Sequence, residues 1–97
     1  MVMTVAMEEP LDPAKAKQLV RTILQSGTVS YSKHACEEMV KDGLQTVDCV
    51  NVLRGGVIDF PELVNGTWRY RVRTNRMVVV IAFGSESHVR IVTAWRM

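Results

Sequence analysis

The 97-residue sequence predicts an α+β domain, three N-terminal helices packed on one face of a four-stranded antiparallel meander. Three observations carry that expectation. Apolar residues recur at helical spacing as far as Leu53, then alternate with polar ones beyond Val57. Glycines close the helical stretches, whereas Asn-Gly, Asn and Gly-Ser signals separate the alternating ones. A composition of 47% hydrophobic and 23% charged residues suits one buried core and not a disordered chain.

Residues 1–11 read as a flexible N-terminal tail and 12–97 as a single domain. No basic residue precedes the apolar start Met1–Met7, and Glu8-Glu9-Pro10 follows it, so a secretory signal is not expected. Asp12-Pro13 opens the first helix, an N-cap acceptor followed by proline at the first helical position. Leu19, Val20, Ile23 and Leu24 form its apolar stripe, and Gly27 ends it. The second helix begins near Ser32, buries Ala35, Met39 and Val40, and ends at Gly43. Thr46 is expected to cap the third, with Val47, Val50 and Leu53 inward and Gly55-Gly56 as terminator.

Val57 to Val64 reads as a strand broken by Pro61, which belongs at an edge or a bulge. Asn65-Gly66 is a type I′ hairpin signal. It pairs Leu63 with Trp68 and Glu62 with Arg69, predicting a Glu62–Arg69 ion pair across the strands. Continued regularly, that register sets Ile58 and Phe60 among arginines, so a bulge at Pro61 returning both to the core is expected. Thr67 to Thr74 alternates, with Trp68, Tyr70 and Val72 on one side and Arg69, Arg71 and Arg73 on the other. Met77 to Phe83 is apolar on both faces, hence central, and too short to cross a membrane. His88 to Trp95 closes the sheet. Cys36 and Cys49, each on a helical stretch, read as reduced thiols of a cytoplasmic protein.

The net charge of +2 is unevenly spread. Residues 1–53 hold five Lys/Arg against seven Asp/Glu, while residues 54–97 hold seven Arg, no Lys and three acids. Arginine presents a fork of donors that matches two phosphate oxygens at once. An all-arginine second half points to a polyanion partner, or else to cations on the solvent face of a sheet.

At Ser32-Lys33-His34-Ala35, followed by Met39 and Gly43, the chain resembles a family of small bacterial proteins with an uncharacterised domain. Its members begin with a Ser-Lys-His-Ala helix and end in a Val-Thr-Ala-aromatic strand. Ile91-Val92-Thr93-Ala94-Trp95 and Arg69-Tyr70-Arg71-Val72 are similar too, and the match spans Tyr31 to Arg96, about two-thirds of the chain. That family is similar in fold to the RelE and motility quorum-sensing regulator (MqsR) toxins. The resemblance implies a RelE-like domain acting as a toxin-type, metal-independent endoribonuclease of a bacterial or phage toxin–antitoxin system. RNA and a cognate antitoxin would be its partners, with no cofactor. The arginine usual before the methionine of the second helix is Glu38 here. Four residues after His34, Glu38 stands either as an orienting carboxylate or as half of an exposed ion pair.

Metal-free RNA cleavage needs a base for the 2′-hydroxyl, an acid for the leaving oxygen and cations for the developing charge. His34 suits proton transfer, because an imidazole titrates near neutrality and this one opens a helix whose free amides favour an anion. Arg71, mid-strand and away from Glu62, suits the developing charge, and the Thr93 hydroxyl suits a phosphate oxygen. These three are the candidate catalytic residues. Lys33, Arg69, Arg73, Arg76 and Arg96 are candidates for phosphate contact, and Trp95 for stacking on a base. The histidines and cysteines match no zinc spacing, and no phosphate-loop or nucleophile-elbow motif occurs. The competing expectation is a non-catalytic protein-binding module of the same fold, using an edge strand or the helical face.

Overall fold

A computed structural model describes residues 8–97 of the chain. Asp12 caps the first helix as expected, its side chain accepting from Lys15 N at 2.8 Å, with proline next in line. The helix, α1 (Pro13–Ser26), buries Ala16, Val20 and Ile23, and Leu19 and Leu24 pack half-buried at the margin. Ser32 caps α2 (Lys33–Lys41), which buries Ala35 and Met39. Val40, expected inside, is 83% exposed, because it lies one residue round from Met39 on a narrow apolar stripe. The third helix, α3 (Thr46–Gly55), is capped by Gln45 and not by Thr46. The Gln45 backbone amide donates to the Asp48 carboxylate at 2.8 Å, the half of a capping box that the third residue of the helix supplies. That phase turns Cys49, Val52 and Leu53 inward and leaves Val47 exposed.

The sheet has six strands where four were expected, and it is mixed. After α3 come β2 (Val57–Ile58), β3 (Glu62–Val64), β4 (Thr67–Arg73), β5 (Met77–Ser85) and β6 (His88–Arg96). The unexpected member is β1 (Thr28–Tyr31), between α1 and α2, which pairs in parallel with the first half of β6. The order is β1-β6-β5-β4-β2, with β3 on the other half of β4, so β4-β5-β6 is the expected antiparallel meander. A segment of four residues whose partner lies about sixty residues on carries too little alternation to be read locally.

The expected strand 57–64 is split. Three residues, Asp59 to Pro61, stand against two, Tyr70 and Arg71, so the break is a bulge at Pro61. It returns Ile58 to the core but not Phe60, which is 76% exposed. Asn65 and Gly66 have φ of 50° and 79°, as a type I′ turn demands.

Two further bulges shape the sheet. Val92 is an extra residue in β6, and Gly84 an extra residue in β5. All three helices pack on one sheet face, against Tyr70 and Val72 of β4, Val79, Ile81 and Phe83 of β5, and Val89, Ile91 and Ala94 of β6. Among the described residues no helix covers the other face. The end of the expected tail is tied down, because the Tyr70 hydroxyl accepts from Leu11 N and donates to the Glu9 carboxylate. Residues 1–7 lie outside those described. Among the described residues, no helix is long and apolar enough to cross a membrane.

Candidate functional site

Alternation along β4 sends Tyr70 and Val72 to the core, so Arg69, Arg71 and Arg73 project from the uncovered face. The Val92 bulge then decides what β6 presents beside them. Before it, Val89 and Ile91 face the core and His88 and Arg90 face outward. After it the parity flips, so that Thr93 and Trp95 share the uncovered face while Ala94 is buried. In the centre, β5 places Val80 between Arg71 and Thr93 in register.

The result is a concavity of about 290 Å³ lined by Arg69, Arg71, Val80, Thr93 and Trp95, with Asp59, Phe60, Glu62 and Val64 on its β2–β3 side. The Arg71 guanidinium lies 5.8 Å from the centre of the Trp95 ring. At that separation the π-face attracts the cation and holds the fork in place while its edges stay free for an acceptor. Arg71 is exposed and has no carboxylate partner among the described residues. Arg69 Nε is buried and lacks any hydrogen-bond partner among the described residues. A buried donor without an acceptor costs about 1–3 kcal/mol, so this side chain gains by moving towards an incoming anion.

The expected Glu62–Arg69 ion pair does not form. The two residues stand opposite each other, yet the ion pair found among the described residues joins Arg73 to Asp59 at 3.0 Å. The bulge explains the difference, since Asp59 N bonds to Arg71 O and swings its carboxylate onto the next arginine. Those hydrogen bonds push the Arg73 pKa up further, with the charge of Asp59 adding to them. Glu62 is thereby left as the carboxylate in the concavity without an ion-pair partner among the described residues.

Arg96 is occupied elsewhere. Its guanidinium donates to Asp42 O at 2.9 Å and Gly43 O at 3.3 Å, satisfying carbonyls at the end of α2. The Val92 bulge puts Arg90 and Arg96 on opposite faces. Arg76 is exposed in the β4–β5 turn. Lys33 and His34 are exposed in the first turn of α2 and line no part of the concavity. The structure therefore gathers Arg69, Arg71, Thr93 and Trp95, leaves Lys33, His34 and Arg76 outside, and engages Arg73 and Arg96 within the protein.

Phe60 joins the site although the sequence assigned it to the core. The usable signal was Pro61, which confines the preceding residue to extended backbone and ends regular pairing there. Among the described residues, no group of three or more His, Cys, Asp or Glu side chains could hold a metal ion. Comparison of the chain with protein-family models, with curated proteins and with solved structures returned no match.

Proposed function

We propose that the uncovered sheet face binds single-stranded RNA and that the chain is a metal-independent endoribonuclease of the RelE-like toxin type. One observation carries this reading. A guanidinium held over an indole, beside a hydroxyl and a second arginine, occupies a face that no helix covers among the described residues. Arg71 would take the phosphate, Trp95 and Phe60 would stack on bases, and Thr93 would donate to a phosphate oxygen. Arg71 would also neutralise charge as the 2′-oxygen attacks phosphorus, its proton passing to the Glu62 carboxylate, and the 5′-oxygen leaves with a proton taken from water. His34 takes part in proton transfer only where the bound strand runs on to α2. The test is incubation of pure protein with RNA in EDTA, with binding followed by fluorescence anisotropy. Arg71→Ala is expected to weaken binding about tenfold, the size of one charge-assisted contact, and to abolish cleavage. Unchanged binding and cleavage in that variant would remove the assignment.

A second reading, a non-catalytic protein-binding module, draws on Val57, Phe60 and Leu63, which are 56%, 76% and 57% exposed along the β2–β3 segment. RNA binding without cleavage in the wild type, and without growth arrest on expression, would favour it.

A further inference from the structure

A second polar cluster sits on the same face at the β1–β6 end, beyond the Arg71–Trp95 concavity. Ser30 Oγ and His88 Nε2 are 2.6 Å apart, and both side chains are half-buried. The parity of β1 and β6 places them outward, since Val29 and Tyr31 pack on the core and Val89 and Ile91 are buried in it. On its other side the ring lies against Gly84, the extra residue of the β5 bulge. A Cβ there would stand 2.4 Å from His88 Nδ1, so the imidazole lies directly against glycine backbone. Arg90, opposite Ser30 in the β1–β6 register, is exposed and has no ion-pair partner among the described residues.

We propose that His88, Ser30 and Arg90 form a proton-gated anion subsite for a phosphodiester group of the RNA strand. This rests on the RNA reading of the uncovered face. With His88 neutral and its Nε2 lone pair free, the Ser30 hydroxyl donates to the ring and offers nothing outward. With His88 protonated, Nε2–H donates to Ser30 Oγ, and the hydroxyl hydrogen is released to turn towards an acceptor. One proton thus adds both a charge and a donor beside Arg90. The charged or titratable neighbours are Arg90 on β6 itself and Glu86 in the β5–β6 turn. The flanking β1 supplies Thr28 and Ser30, and β5 supplies Gly84 and Ser85, none of which is charged.

The sign follows from linkage. A ligand that prefers the protonated ring binds more tightly as pH falls through the imidazole range. The experiment measures the Kd of a hexauridylate probe at pH 8 and pH 5.5 in wild type, His88→Gln, Ser30→Ala, His34→Gln and Arg71→Ala. Wild type is expected to tighten about tenfold at the lower pH, the size of one added charge-assisted contact. His88→Gln should abolish the slope, Ser30→Ala reduce it, and His34→Gln keep it. Arg71→Ala should weaken binding at both pH values and keep the slope. RNA binding with no slope in wild type, or with the full slope in His88→Gln, overturns the subsite alone. No RNA binding at either pH overturns the subsite and the RNA reading together.

Discussion

Seven arginines and no lysines fill the second half of the chain, and the structure divides their labour by what each guanidinium touches. Arg73 is closed off by three hydrogen bonds to the Asp59 carboxylate, and Arg96 by the carbonyls ending α2. Arg71 meets a π-face instead of a carboxylate, which orients it without neutralising it. The prediction at this scale is a contrast between neighbours on one strand. Arg73→Ala should leave RNA affinity within about twofold, because a solvent-screened pair adds little and its loss also frees a carboxylate. Arg71→Ala should weaken it about tenfold. Anisotropy titrations at fixed ionic strength decide the matter, and equal losses in the two variants would mean that the arginines act as a diffuse field and not as a site. The sequence already showed that Arg69, Arg71 and Arg73 share a face, since alternation alone settles that. It could not show which of them keeps a partner, because the Pro61 bulge delivers Asp59 to Arg73 and leaves Glu62 unpaired.

The joint between α2 and β6 governs what the site contains. Ser32 accepts from Ala35 N at 2.9 Å as N-cap, donates its own hydroxyl to Val92 O at 2.7 Å, and sends its amide to Ile91 O at 2.9 Å. The bulge residue is thus pinned by the helix cap, and the bulge is what turns Thr93 and Trp95 to the uncovered face. Ser32→Ala should cost about 1–2 kcal/mol in urea unfolding, whereas Thr46→Ala should be near neutral because Gln45, not Thr46, holds the cap of α3. Ser32→Ala should also weaken RNA binding, since a slipped bulge moves Trp95. A stability loss with unchanged RNA affinity would show that Trp95 is held independently of the cap. Helix starts at Asp12 and Ser32 and the Asn65-Gly66 hairpin were legible because each is a local hydrogen-bonding or φ requirement. The Val92 bulge and β1 were not, because each is set by a partner distant in sequence. The placement of His34 was illegible for the same reason, as only packing decides which way α2 presents its first turn.

Across the whole molecule, two weak acids link the layers, and both are held neutral by burial. Tyr70 joins the sheet core to the N-terminal segment through Leu11 N and Glu9, with its ring edge-on to Phe83 at 5.1 Å. Its pKa is pushed up from 10.0 to about 12, first by burial, with Glu9 adding to the rise and the Leu11 amide opposing it. Cys49 on α3 is fully buried, and its thiol is pushed up from 9.0 to about 11 by burial and then by Asp48. Both folded values exceed the unfolded ones, so the folded state holds these protons after the unfolded chain has released them. Stability should therefore be independent of these two groups below pH 9 and fall as pH rises from 9 towards 12. The loss amounts to a few kcal/mol at most, at about 1.4 kcal/mol per pKa unit. Urea midpoints measured from pH 8 to 11 test this. Cys49→Ala should delay the onset of the fall towards pH 10, where Tyr70 and Tyr31, its own pKa also raised by burial, remain, although its midpoint is lower throughout because a buried side chain is truncated. A thiol reagent gives an independent check, since exposed Cys36 should react at once and Cys49 only as the chain unfolds. An onset still at pH 9 in Cys49→Ala, or two thiols reacting at one rate, would mean that the helical layer opens apart from the sheet and that the core is not a single cooperative unit.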